Sequence, residues 1–516
     1  MKRKKETKKN LSRRDFIKTT AVGVGATALA GLGAKEAKAI PITEVPRWDR
    51  EADVVIVGCG ASGSVAAIEA YDAGAEVLML EKTPNFGGAG TLSGGAVYGC
   101  ATFLQRRAGI EDSPDEMFKY VMAIGGGVSD PNMLRVWCEN CGALVDWLAS
   151  LGVQFTGPNY SGEELLYANI AKPAPRGHST VGRGQALLQV LESQVDLRGI
   201  EYLTETPASE LIVRSGAATE VVGVRSKTKG LYIKARTGVV LAAGGYATDA
   251  AALKKYTMFS LPLLVNPMMK GFTADDGDGI AMAQDVGCDF YGIDTMAPRV
   301  LVLVGYPTPG YAYYVGFSVG GVIWVNEAGQ RFMDEKTFYG KAPFVLKTQT
   351  NAHAFQIFDQ AAIAGGGAKV GPFSNDLSKE LAIGSIKTAA TIRALASVIG
   401  VNADNLDATV STWNTNAAQG KDPQFGRTLV APINTPPFYA ADVRNYAGYN
   451  YGGVRITPDC RVVKALGSVI HRLYAAGSTT GGVLGQVHPG AGTMISKAMT
   501  FGRIAGQNAA LEAPWS

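Results

Sequence analysis

The sequence predicts an α/β protein whose main sheet is assembled from both ends of the chain, with an α+β domain inserted between them. Two observations predict it. A strand, a glycine-rich turn, a helix and a second strand follow one another over residues 53–81. Two further strands that run into glycines, 239–245 and 473–477, lie far downstream and far apart. One sheet assembled from such distant pieces needs a large insert. The expected bounds are 45–288 and 443–516 for the two parts of the main domain and 289–442 for the insert. A chain of 516 residues, 47% hydrophobic, has enough material for two cores.

The first element is an address. Ser12-Arg13-Arg14-Asp15-Phe16-Ile17-Lys18 precedes an Ala/Gly-rich apolar run at 21–34 and then Ala37-Lys38-Ala39. A basic stretch, an apolar run and a small-residue cleavage site read as an export signal over residues 1–39. The run is shorter than the ~20 residues that span a bilayer. The paired arginines specify the twin-arginine translocase as partner and the periplasm as destination. That route carries folded proteins, so a large cofactor is inserted before export. Much of the formal +4 charge sits in this segment, and the rest of the chain is slightly acidic. A nucleic-acid partner is therefore not expected. The six cysteines form no disulfide framework, haem motif or iron–sulfur cluster, and no metal site is expected. Cys138 and Cys141 sit one turn apart in a run with helical apolar spacing, which favours packing over redox chemistry.

The second element is a βαβ unit. The strand at 53–57 feeds Gly58-Cys59-Gly60-Ala61-Ser62-Gly63, a helix follows, and the next strand ends in Glu81. Gly58 makes the tight turn, Gly60 admits a pyrophosphate and Gly63 lets the helix pack. The helix N-terminus faces the phosphate and Glu81 accepts ribose hydroxyls. With 64 glycines in 516 residues, a bare G-x-G-x-x-G is expected about once by chance. The flanking strand, helix and acid carry the signal and predict a Rossmann-like dinucleotide domain. A glycine-rich continuation with Lys82, Gly87, Gly88, Ser93, Gly94 and Gly95 suits an extended cofactor. Ala243, Gly244, Asp278, Gly477 and Gly492 complete the expected cofactor set.

These segments resemble the flavoprotein family of fumarate reductases and 3-ketosteroid Δ1-dehydrogenases. The marks are VVIVGCGASG…LEKTPNFGGAGTLSGG, LAAGGY, DGDGIAMAQDVG, VNEAGQRFMDE, PFYAA, LYAAGSTTGG and HPGAGTMISKAMTFGRIAGQ, in that order over nearly all of the chain after the signal. The resemblance implies non-covalent FAD and a catalytic domain inserted into the FAD domain. It also implies a site. The fumarate reductase branch has an acid arginine four residues after the motif matched by Arg331–Glu335, and Tyr339 stands there instead. The histidine and arginine that clamp a dicarboxylate in that branch are also absent. The ketosteroid branch fits better. It has a base tyrosine at the place of Tyr339 and a Y-P-G-x-G motif that holds the substrate carbonyl. The sequence here is His488-Pro489-Gly490-Ala491-Gly492, with a histidine in place of the tyrosine.

Desaturation next to a ketone needs a base, donors to the enolate oxygen and a hydride acceptor. His488 and the Gly492 N–H are the expected donors, each worth about 3–4 kcal/mol if preorganised. A tyrosine base with an ordinary pKa of ~10 needs a helper, and Tyr160 is the expected one. Arg331 and Glu335 read equally as an ion pair or a proton relay, and His178 as a residue that orders a cofactor loop. The reading is an FAD-dependent CH–CH oxidoreductase that dehydrogenates a 3-oxosteroid-like or cyclic ketone and passes electrons to an external quinone or cytochrome. The alternative is a periplasmic respiratory ene-reductase of an enone or unsaturated carboxylate, which needs an arginine such as Arg299 or Arg455 at the flavin. A flavin-carrying electron-transfer protein with no substrate leaves Tyr339 and the P-G-x-G motif unexplained.

Overall fold

The computed structural model describes residues 39–161, 163–216, 219–257, 275–302, 320–337, 340–364 and 377–515. Strand β1 (Arg50–Val57) turns into helix α1 (Ala61–Asp72), which returns through β2 (Val77–Leu80). Further along come helix α2 (Pro131–Ser150), strands β3 (Leu231–Leu241), β4 (Phe438–Asn450) and β5 (Val469–Ala475), and helix α3 (Thr493–Leu511).

The parallel part of the main sheet runs in the order Glu201–Leu203, β2, β1, β3, β5. Numbered along the chain this is 3-2-1-4-5, so the winding reverses between β1 and β3. Ligands of doubly wound sheets bind beyond the carboxyl ends of the strands at that reversal. Val54, Val55 and Ile56 of β1 and Val239, Val240 and Leu241 of β3 have no exposed surface. Both faces of a parallel sheet are covered, and each such side chain contributes roughly 1.5–3 kcal/mol. The first half of β3 pairs antiparallel with Thr219–Ser226, which continues the sheet through Glu210–Ser215 to Ile40–Pro41.

Helix α3 brings the end of the chain to the start of the fold. A Cβ on Gly502 would lie 2.4 Å from the Ser62 carbonyl oxygen, and one on Gly506 2.1 Å from that of Ala66. Glycine at these two positions, one turn apart, lets α3 touch α1. Glu69 then ties the helices through Arg503 (2.6 Å) and Gln507.

The insert is a five-stranded antiparallel sheet. Its order is Met296–Val302, β4, His353–Asp359, Val322–Asn326, and Ile386–Ala389 also pairs with β4. Side chains alternate between two cores, as a period of two requires. Val322, Trp324, Phe358 and Val443 face one side. Ile323, Val325, Ile357 and Ala440 face the other, against Leu395, Leu406 and Trp413. The expected bound at 442/443 falls inside β4. This strand is 13 residues long and stays hydrogen-bonded to strands of the insert up to Asn450. The insert's sheet therefore runs to Asn450, because one long strand spans successive partners without a break.

Cys138 and Cys141 lie on α2, buried and unoxidised, as their helical spacing suggested. The Sγ of Cys141 is 3.8 Å from that of Cys100.

Candidate active site

The cleft opens where the sheet reverses. It encloses ≈ 1190 Å³ of empty space, including solvent at its mouth. Gly58, Gly60, Ala61, Ser62, Glu81, Lys82, Gly88, Ser93, Ala243, Gly244 and Asp278 line it. Each fingerprint glycine has its own reason. Gly58 has φ +106°, and a Cβ there would be 2.4 Å from the Ala242 carbonyl oxygen. A Cβ on Gly63 would be 1.9 Å from the Gly58 carbonyl oxygen. One on Gly60 would meet nothing closer than 3.9 Å, so that face is left to a ligand. The N–H groups of Ala61, Ser62 and Gly63 find no acceptor among the described residues. N–H groups left open at a helix start are able to hold an anion.

Glu81 is buried against the turn. It accepts from the Cys59 N–H (3.0 Å) and from the N–H (2.8 Å) and hydroxyl (2.9 Å) of Thr83. A carboxylate has about four acceptor sites, so one remains for a ribose hydroxyl. Lys82 bonds Asp278 (2.7 Å) and Asp276. Burial works against its charge, but the two carboxylates hold its pKa above the ordinary value. Behind Gly244, Asp275 accepts from the N–H groups of Gly245 and Ala247. Burial pushes its pKa up to about 6, with those two donors pulling the other way. Gly63, Gly87, Gly94, Gly95, Gly477 and Gly492 do not line the cleft. The Gly87 N–H donates to the Cys59 carbonyl (3.0 Å), Gly95 packs against the Arg183 backbone and Gly477 against Ser62.

The far end of the cleft is made by the start of α3, which a loop precedes. Met494 and Ile495 line the space. Gly492 caps the helix with φ +97°, where a Cβ would be 2.7 Å from the Ala96 backbone. Its N–H has no acceptor among the described residues. The loop is fixed from three sides. The Tyr120 hydroxyl donates to the Pro489 carbonyl (2.5 Å), the Ala491 N–H to Ser161 Oγ (2.9 Å), and the Thr493 hydroxyl to the Gly490 carbonyl (3.0 Å). His488 is buried. Its Nδ1 is 2.7 Å from the Tyr451 hydroxyl, and its ring lies 5.9 Å from that of Tyr449, which lines the cleft.

Lys497 sits one turn into α3 with no exposed charge. Its Nζ donates to the Thr480 carbonyl (2.8 Å), and burial drops its pKa to about 7. His178 is buried between Thr102 Oγ1 (2.9 Å) and the Val97 carbonyl (3.2 Å), and burial lowers its pKa. It holds the loop between two short strands. Arg176, beside Tyr120, is held bidentate by Asp112 (2.8 and 2.7 Å).

Of the expected catalytic residues, His488 and Gly492 lie in the loop before α3 beside Tyr449 and Met494, which line the cleft, and do not line it themselves. Tyr339, with Tyr306, Tyr311, Tyr313 and Tyr314, lies outside the described residues. Tyr160, the expected helper, is 49% exposed and makes no hydrogen bond among the described residues, which do not include its expected partner Tyr339. The buried tyrosines of that region are Tyr98, bonded to Glu164 Oε1 (3.1 Å), and Tyr120. Tyr160 follows a short edge strand, Phe155–Asn159, which a sequence does not reveal. Arg331 and Glu335 form a buried ion pair (2.8 Å), joined by Asp422 and Arg427 and stacked on Trp413. Arg455 is a surface residue paired with Asp289 (3.1 Å), and nothing is described of the Arg299 side chain. Sequence reasoning missed Tyr449, Tyr451 and Lys497. The run Tyr449-Asn450-Tyr451-Gly452-Gly453, a strand end entering glycines, was the available signal.

The family described as FAD binding domain matches residues 53–495. A twin-arginine translocation signal sequence matches residues 10–30. Fumarate reductase (cytochrome) of Shewanella frigidimarina is 31% identical over 89% of this chain and 77% of its own length. The 3-oxosteroid 1-dehydrogenase of Mycolicibacterium smegmatis is 29% identical over 88% of this chain and 96% of its own. Among solved structures, 3-ketosteroid-Δ4-(5α)-dehydrogenase from Rhodococcus jostii RHA1 superposes with a TM-score of 0.72 at 30% identity, over 92% of this chain and all of that one.

Proposed function

The chain belongs to the FAD-binding domain family, and from that premise we propose that this exported oxidoreductase acts on the Cα–Cβ bond beside the carbonyl of a cyclic, 3-oxosteroid-like ketone. The observation that carries the reading is the loop before α3, where His488 lies against Tyr449 of the cleft wall and the Gly492 N–H finds no acceptor among the described residues. The cradle fits FAD: a glycine face left open at Gly60, a helix N-terminus aimed at a pyrophosphate and Glu81 with a spare acceptor site. Bound FAD supplies the hydride chemistry. His488 and Gly492 hold the substrate oxygen as negative charge builds on it, and such donors are worth about 3–4 kcal/mol each. Tyr339 takes the α proton in dehydrogenation and returns it in the reverse reaction. An external quinone or cytochrome exchanges the electrons. The apolar walls at Met494, Ile495 and Tyr449 suit an apolar ring.

A second reading, a periplasmic ene-reductase of an enone or unsaturated acid, is favoured by the twin-arginine signal and the fumarate reductase relative. One experiment separates the two. FAD-loaded protein is mixed anaerobically with a saturated 3-oxosteroid or cyclohexanone while the absorbance of the oxidised flavin is followed. Rapid bleaching that Tyr339→Phe abolishes supports the dehydrogenase. No bleaching, with enones or unsaturated acids reoxidising dithionite-reduced protein, replaces it with the reductase.

A further inference from the structure

Strand β4 is the longest strand of the insert, and its last residue reaches the ends of the main sheet. Asn450 has no exposed surface. Its backbone is still in register with Met296 of the insert's sheet. Its side chain belongs to the other domain. The Nδ2 donates to the Ser478 carbonyl (2.5 Å) and to the Gly452 carbonyl (2.8 Å). A side-chain amide carries both hydrogens on nitrogen and accepts only on oxygen. Two carbonyls therefore decide which way round this amide lies. Its Oδ1 then rests on Gly245, where a Cβ would be 1.6 Å away, so only glycine leaves room for it.

Gly245 and Ser478 follow the ends of β3 and β5, which are neighbours in the main sheet. The two ends are also joined directly, by the Thr479 hydroxyl donating to the Gly244 carbonyl (2.9 Å). Gly244 and Ser478 line the cofactor cleft, whereas Asn450 and the strand Met296–Val302 do not. One buried amide thus sits between two cleft walls and a strand of the insert.

We propose that Asn450 is a positioning residue that couples the insert to the FAD cradle: its amide clamps the backbones at Ser478 and Gly245 to the end of β4, so that FAD binding orders the insert's sheet and the insert in turn holds FAD. The inference rests on the cradle and not on the identity of the substrate. Coupling of this kind is reciprocal, because one free energy links the two events in both directions. Asn450 acts through the Ser478 and Gly245 backbones and does not touch the cofactor.

The experiment follows backbone hydrogen exchange in FAD-loaded protein and in its apoprotein. Two segments are read: the turn at 58–63, which belongs to the cradle, and the strand at 296–302. FAD is expected to slow exchange at both in wild type. In Asn450→Ala, saturated with FAD, the slowing at 58–63 is expected to persist and that at 296–302 to disappear. FAD affinity, measured by titrating apoprotein, is expected to fall about tenfold, as for the loss of two hydrogen bonds. A merely structural role for Asn450 would speed exchange at 296–302 equally with and without FAD. Slowing confined to 58–63 in wild type overturns the proposal even if the variant does not fold. So does a folded Asn450→Ala that keeps the wild-type slowing at 296–302. Slowing at neither segment overturns the cradle assigned to Gly58–Gly63 together with the coupling.

Discussion

The two ends of the cleft are built from different materials. At the β1–α1 turn, the site is backbone: glycines without Cβ atoms and N–H groups at a helix start. At the α3 end it is side chains, with His488, Tyr449 and Tyr451 arriving from two segments and fixed by Tyr120 and Ser161 from two more. Backbone recognition suits a cofactor that never varies. Side-chain recognition can be rewritten for a new substrate while the cradle is left alone.

The largest expected effect breaks the cradle. Gly63→Val places a branched side chain where even a Cβ lies 1.9 Å from the Gly58 carbonyl oxygen. The protein is expected to purify without FAD or not to fold, which flavin absorbance of the purified sample checks. His488→Phe is expected to keep FAD and lose about 10²–10³-fold in turnover, the usual effect of removing one oxyanion donor. Equal loss of flavin in both variants would erase the distinction between the two ends.

Lys497 sharpens the comparison, because it is a buried cation behind the side-chain end. Its folded pKa of about 7 lies below the ordinary 10.5. The unfolded chain therefore binds more protons between those values, and stability rises with pH across that window. Below about pH 7 the cost is fully present, at roughly 1.4 kcal/mol for each pH unit that separates the two values, as an upper bound. Lys497→Met is expected to raise the melting temperature of FAD-loaded protein at pH 6 by several degrees and much less at pH 10. An equal change at both pH values would mean that folding does not lower its pKa and that Lys497 stays charged in the fold. The smallest effect is Arg455→Gln. This surface pair with Asp289 is worth about 0–1 kcal/mol, so turnover is expected to stay within twofold. A large loss would revive an arginine-dependent reductase.

The comparison also explains what was legible. The turn at Gly58–Gly63, the acid at Glu81 and the strands at β1, β2, β3 and β5 were readable because each is set by local spacing. The expected bound at 442/443 falls inside β4, which carries no breaker where its partner changes. The exposure of Tyr160 was not legible because burial is not local.

By itself the sequence determined the doubly wound domain, its FAD cradle, the insert and the export signal. All of these follow from short-range patterns of glycine, apolar residues and charge. Only the tertiary structure decided that Tyr451 reaches His488 across 37 residues, that Lys497 is buried and that Arg331 is locked in an ion network. Such contacts depend on how distant segments pack, and no spacing within a segment encodes them.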